Sequence, residues 1–220
     1  MKMEPDLTVP CLIHDLNNVF QTLMEAADQF SDDPRWSPVS AAILRCIERG
    51  KDITMSMQTV NQPSAPLHTV LDDARLFVQD SVSLGHGPPI RFGCEVEPGL
   101  TLRHPWDWER VLINLFLNAV RAMPEGGTIS VDARRKNGGT QIVVADEGAG
   151  IAPELLPTIF EPHVTTKSGS QTIGGLGLHI VHTIVQREDG EVRAANRDGG
   201  GAEFTITIPA RPAGMRIASA

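Results

Sequence analysis

The sequence has no apolar run approaching the roughly 20 residues that cross a bilayer, and its first residues, MKMEPDLTVP, lack the apolar stretch of a signal peptide. A cytoplasmic chain without a membrane segment is the expectation. Basic residues are also in deficit: 19 Lys and Arg stand against 27 Asp and Glu, a net charge of -8, so no broad basic footprint for nucleic acid or anionic lipid is expected. Cysteine is scarce. Cys11, Cys46 and Cys94 are widely spaced, with no CxxC or Cys/His cluster, which argues against a disulfide framework or a zinc site and for buried, reduced thiols. His179 and His182 share a helix face but have no third ligand nearby, so they read as structural. Internal repeats and low-complexity tracts are absent as well.

What is present divides into two patterns. Leu12, Leu16, Val19, Leu23, Ala26 and Phe30 follow one another at alternating spacings of 4 and 3, the seam of a helix packed in a bundle, which should end at the SDDPRWSP segment. Val39, Ile43, Cys46, Gly50, Ile53, Met57 and Val60 repeat the alternation. The two helices predict an antiparallel α hairpin, and a lone hairpin cannot enclose its seam, so two copies should pair into a dimeric four-helix bundle. Asn61-Gln-Pro-Ser-Ala-Pro66 is a linker signal. Beyond it, strand-like runs at 90–96, 128–133, 141–145, 191–194 and 204–208 alternate with amphipathic helices near 67–80, 107–123 and 175–187, with a hairpin turn at Lys136-Asn-Gly-Gly139. This order predicts an α/β sandwich with helices on one face of a largely antiparallel sheet. The expected domains are residues 1–62 (helical hairpin), 63–210 (α/β sandwich) and 211–220 (a loose tail).

Four local patterns could carry chemistry. His14 lies about 200° around the first helix from the apolar seam, beside Asp15 and in line with Asn18, Gln21 and Glu25. A carboxylate beside an imidazole can take its ring proton and sharpen the other nitrogen as a nucleophile, although an exposed His–Asp pair is usually no more than a solvated helix face. Asn114, Asn118 and Arg121 share a face opposite Leu112, Leu115, Ala119 and Ala122. Amide oxygens suit Mg2+ and a guanidinium suits phosphate, yet an ordinary polar face would look the same. Asp146-Glu-Gly-Ala-Gly150 fixes a carboxylate at a strand end beside small residues, which is also how a tight turn reads. Gly174-Gly-Leu-Gly177 opens a helix whose N-terminus could face an anion.

In order, His-Asp-x-x-Asn, Asn-x-x-x-Asn, Asp-x-Gly-x-Gly, Phe-Glu-Pro with Thr-Thr-Lys, Gly-Leu-Gly and a closing Gly-x-Gly-x-x-Phe resemble the successive boxes of bacterial sensor histidine kinases over residues 8–209. The second half looks like the Bergerat fold that these kinases share with Hsp90-type ATPases and MutL proteins. The resemblance implies a two-component kinase that uses Mg2+ and ATP to phosphorylate His14, with Asp15 as its base, and passes the phosphoryl group to an aspartate of a response-regulator receiver domain. It also implies that Asn18 orients water in dephosphorylating that partner. Asn118 would hold Mg2+, Asn114 would support it, and Arg121 and Lys167 would meet phosphates. Asp146 would bond the adenine amino group above Gly148 and Gly150, while Gly175, Leu176 and Gly177 would bring a helix end to the triphosphate.

Three departures from the family pattern stand out: Ile173 replaces a glycine, His163-Val164 replaces a Phe-Phe pair, and Ala202 replaces a threonine whose hydroxyl could support the adenine contact. The resemblance therefore implies binding of ATP with reduced affinity. Two other functions fit the pattern: a non-catalytic histidine phosphotransfer protein of the same architecture that does not use ATP, and a serine kinase or ATPase of the wider Bergerat group.

Overall fold

A computed structural model describes residues 8–28, 35–36, 39–40, 43–47, 50, 54, 64–84, 87–162 and 177–210, with the side chains of 8–15, 17 and 28 excepted. The chain separates into two compact units, Met1–Pro63 and Ser64–Ala220.

The first unit is built on α1 (Thr8–Asp28). It starts four residues before the apolar periodicity does. Pro10 falls in the first turn, where a backbone N–H has no intrahelical acceptor to lose. Within the single chain Ala27 and Ile47 are buried, and the buried Ser40 hydroxyl donates to the Ala27 carbonyl at 2.7 Å. Phe20 packs over Gly50, where an added Cβ would meet its ring at 2.5 Å. The predicted seam behaves differently: Val19 is 54% exposed, Leu23 47% and Ile43 40%. On α1, packing inside this unit thus uses Phe20 and Ala27, one position on from the predicted seam, against Ser40, Ile47 and the seam's own Gly50. Cys46 is exposed for the same reason, correcting the expectation of a buried thiol. Ile53, Met57 and Val60 lie outside the described residues, as does the tail 211–220.

The second unit is a five-stranded sheet covered on one face by three helices. Its elements are β1 (Ala65–Pro66), α2 (Leu67–Leu84), β2 (Ile90–Val96), β3 (Thr101–Leu102), α3 (Pro105–Ala122), β4 (Gly127–Lys136), β5 (Gly139–Ala145), α4 (Gly177–Arg187), β6 (Glu191–Asn196) and β7 (Ala202–Ile208). The strand order is β2-β4-β5-β7-β6, antiparallel except for the parallel β2–β4 pair. Alternate residues on the central strands explain the single covered face: Ile129, Val131, Ala133, Ile142, Val144, Phe204 and Ile206 are buried, and their neighbours are more exposed. Against them pack Leu112, Leu115, Phe116 and Ala119 of α3, with Val181, Ile184 and Val185 of α4. Asn137 and Gly138 form the two-residue hairpin turn, both at positive φ.

Two features escaped periodicity. The last residues of the predicted linker, Ala65 and Pro66, pair with β3, and the Leu67 N–H donates to the Leu100 carbonyl at 2.9 Å. Cys94, on edge strand β2, is exposed where burial was expected.

α3 begins with Pro105 after His104, which adopts left-handed geometry at φ 50°. His104 Nδ1 lies 2.7 Å from Glu188 Oε1, and Arg187 pairs with Asp107. These two contacts tie the start of α3 to the end of α4. The opposite end of α4, at Gly177, therefore lies beside the middle of α3, at Asn114.

Candidate functional site

The polar face of α3 is as the spacing predicted. Asn114 and Asn118 are half-buried and Arg121 is exposed, while Leu112, Leu115 and Ala119 point into the core. Asn114 Nδ2 donates to the Arg110 carbonyl at 2.7 Å, which fixes the amide and directs Oδ1 toward Gly177, where an added Cβ would stand 2.7 Å from that oxygen. The start of α4 is thereby held against an amide oxygen. Arg121 Nη1 donates to Asn118 Oδ1 at 3.2 Å, leaving Asn118 Nδ2 buried without a partner among the described residues. A buried polar atom left unbonded is a place where a ligand restores a missing bond.

Asp146 follows β5 directly and is 3% exposed. Its Oδ1 accepts from the Gly148 N–H at 2.8 Å and the Ala202 N–H at 3.1 Å, and its own N–H donates to the Ala202 carbonyl at 2.9 Å. Both side-chain bonds fall on one oxygen. Oδ2 is thus oriented by the other without being consumed by it. The backbone geometry requires small residues on both sides. An added Cβ at Gly148 would stand 2.6 Å from Ala122 Cβ, where the loop packs on the end of α3 and the Ala149 N–H donates to the Ala122 carbonyl at 3.2 Å. At Gly201, with φ +88°, a Cβ would stand 1.9 Å from the Asp146 carbonyl oxygen. Glu147 adds a tie to β4, its Oε2 accepting from the Thr128 N–H at 2.8 Å.

Ala202, where the family pattern has a threonine, still meets Asp146. Its support for Asp146 comes from the backbone N–H, which any residue except proline supplies.

The structure brings together Asn114, Asn118, Arg121 and Gly177, and places Asp146, Gly148 and Gly150 on the loop packed against the end of the same helix. Lys167, Gly175 and Leu176 lie outside the described residues, as do His163, Val164 and Ile173. His14 and Asp15 lie on α1, and Asn18, exposed, follows one turn later. The polar stripe continues there, with Gln21 Nε2 donating to Glu25 Oε1 at 3.0 Å.

The sequence marked Phe160, Phe204, His179 and His182 singly, without showing that they meet. Phe160 stacks on His182 with ring centroids 5.7 Å apart, packs edge-on to Phe204, and has its carbonyl 3.2 Å from His179 Nδ1. The two histidines are structural, as expected, and what they hold is the segment just after the Asp146 loop. Asn196 and Arg197 escaped notice, because their partners are 45 and 51 residues away in sequence.

A divalent cation can be tested against the donor set. Among the described residues no group of three or more His, Cys, Asp or Glu could hold a metal. Mg2+ does not need one, since it retains waters and binds phosphate oxygens with one or two protein oxygens. Asn114 and Asn118 each carry an amide oxygen of that kind; Asn118 Oδ1 accepts from Arg121, and its Nδ2, unpaired among the described residues, is a donor suited to a phosphate oxygen.

Residues 105–212 match the model of the histidine kinase-, DNA gyrase B- and HSP90-like ATPase family. Over 100 residues the chain is 44% identical to the sensor histidine kinase ZraS of Escherichia coli O157:H7, a match covering 46% of this chain and 21% of that protein. Over 174 residues it is 34% identical to ZraS of Salmonella typhimurium, covering 78% of this chain and 35% of that protein. The chain thus spans no more than about a third of the length of these relatives. Among solved structures, the mycobacterial sensor histidine kinase MprB matches with a TM-score of 0.58 and 26% identity, covering 70% of this chain and 99% of the other. The helix-covered sheet, the glycine-flanked Asp146 and these relatives agree: the second unit is a Bergerat-type ATP-binding domain of the histidine kinase-, DNA gyrase B- and HSP90-like ATPase family, similar to that of bacterial sensor histidine kinases.

Proposed function

We propose that this protein is a two-component histidine kinase that autophosphorylates His14 from Mg·ATP and then phosphorylates an aspartate of a response-regulator receiver domain. The observation that carries the reading is the oriented carboxylate of Asp146: one oxygen is saturated by two backbone N–H groups and the other remains for the adenine amino group. Gly148 and Gly150 keep the loop below it free of side chains. Phosphates would lie between the α3 amides and the N-terminal end of α4, where unpaired N–H groups favour an anion. Arg121 and Lys167 would meet their oxygens, and Gly175, Leu176 and Gly177 would allow close approach. Asn118, supported by Asn114, would hold Mg2+, which supplies charge neutralisation at the phosphates.

In the reaction, a ring nitrogen of His14 attacks the γ-phosphorus in line as the bond to the bridging oxygen breaks and ADP leaves. Asp15 accepts the proton from the other ring nitrogen. The phosphohistidine would next donate to the receiver aspartate, and Asn18 would orient water for the reverse regulation of that partner.

A homodimer joined through a four-helix bundle completes the proposal. The exposure of Val19, Leu23 and Ile43 supports it, since the hairpin's own packing uses other positions. No described helix is long and apolar enough to cross a membrane, which is consistent with a cytoplasmic placement of this segment.

The ATPase-family match argues against the phosphotransfer reading. Incubation with γ-labelled ATP and Mg2+ tests both. Acid-labile label in the unaltered chain, absent in His14→Gln, is the expected result; transfer from a phosphorylated receiver without any labelling from ATP would overturn it. Asn18→Ala should autophosphorylate at the unaltered rate while dephosphorylating its phosphorylated receiver about 100-fold more slowly, the loss expected when a reacting group is misplaced. Equal dephosphorylation rates would remove Asn18 from that role.

A further inference from the structure

The loop that carries Asp146 is pinned from outside by two consecutive residues where β6 ends. Asn196 Oδ1 accepts from the Ile151 N–H at 2.7 Å, and its Nδ2 donates to the Ile151 carbonyl at 2.7 Å. A side-chain amide here does what a neighbouring strand would do, satisfying donor and acceptor of one residue together. Arg197 Nη1 donates to the Asp146 carbonyl at 2.9 Å, so both ends of the segment Asp146–Ile151 are held. Gly150 makes room for this. Its φ is +75°, and an added Cβ would stand 2.9 Å from Asn196 Oδ1.

The geometry points to Asn196 as a positioning residue of the nucleotide site, one that restricts the Gly150–Ile151 backbone to the conformation in which Asp146 and the glycines present a usable pocket. This rests on the ATP reading above. Asn196 acts through the loop and touches no nucleotide. Without its two bonds the loop would sample further conformations, and apparent affinity falls in proportion to the fraction of molecules that are competent to bind. Chemistry after binding is untouched, because the bound state contains only the competent conformation.

Asn196→Ala removes both bonds, and Asn196→Asp keeps an acceptor for the Ile151 N–H while losing the donor to its carbonyl. In the full chain, measured by titration with Mg·ATP and by initial autophosphorylation rates, Asn196→Ala should raise Kd and KM for ATP about fivefold, the worth of roughly one net hydrogen bond. Its kcat at saturating ATP should stay unchanged. Asn196→Asp, the gentler change should the alanine variant fail to fold, should likewise raise KM without lowering kcat. Unchanged KM in a folded variant would overturn the positioning role, as would equal losses in kcat and kcat/KM. Absence of ATP binding by the unaltered chain would overturn the nucleotide reading itself, and with it this role, and is distinguishable because it appears before any substitution is made.

Discussion

Asp146→Asn should weaken ATP binding by about 100-fold while leaving the fold intact. The amide can still accept from the Gly148 and Ala202 N–H groups through its oxygen. Its nitrogen then occupies the place of Oδ2, and a donor faces the donor of the adenine amino group. The site loses a hydrogen bond to a charged acceptor and gains a buried unpaired donor; each is worth about 1–3 kcal/mol, and their sum brackets the stated loss. Calorimetric titration with Mg·ATP checks the affinity, and a thermal midpoint within a few degrees of the unaltered protein checks the fold. Affinity within about threefold of the unaltered chain would show that Oδ2 does not meet the base.

Gly201→Ala should be the most damaging small substitution in the second unit. A methyl group there would stand 1.9 Å from the Asp146 carbonyl oxygen, which is backbone and cannot swing aside, and φ +88° is strained for any L side chain. Backbone strain of about 1 kcal/mol and overpacking of 1–3 kcal/mol together predict a fall of roughly 10 °C in the thermal midpoint of a domain of this size. ATP binding should suffer too, because relieving the clash moves Asp146. Gly199→Ala is the matched control: a Cβ there meets nothing within 4 Å. Equal midpoints for the two variants in a thermal melt would contradict the assigned contact.

Where sequence succeeded and failed follows from the range of the forces involved. Ile90–Val96 was read at its observed limits because alternation and flanking prolines are local signals. The polar face of α3 was legible since helical periodicity alone separates Asn114 and Asn118 from Leu112 and Leu115. The β1–β3 pair was not, because two-residue strands leave no periodic trace. The bracing of Asp146 was hidden in part: the closing glycine motif marked Gly201 and Ala202, but Asn196 and Arg197 are placed there by the pairing of β6 with β7. The contact that Ala202 makes with Asp146 was hidden for a related reason. A threonine hydroxyl is visible in sequence, but a backbone N–H aimed at a carboxylate is a property of the register. In the first unit, heptad-like spacing marked an apolar face and could not say which part of it the unit's own packing consumes. That packing uses Phe20 and Ala27, and Val19 and Leu23 stay exposed.

ATP held at Asp146 is proposed as the source of the phosphoryl group that His14 receives. The full chain should be incubated with Mg·ATP, digested at neutral to alkaline pH, and its peptides mapped by mass spectrometry for phosphate. Phosphate on His14 in the unaltered protein, and its loss in Asp146→Asn at the same ATP concentration, is the predicted result. Phosphate confined to serine or threonine, or on His14 at an undiminished level in Asp146→Asn, would contradict the account.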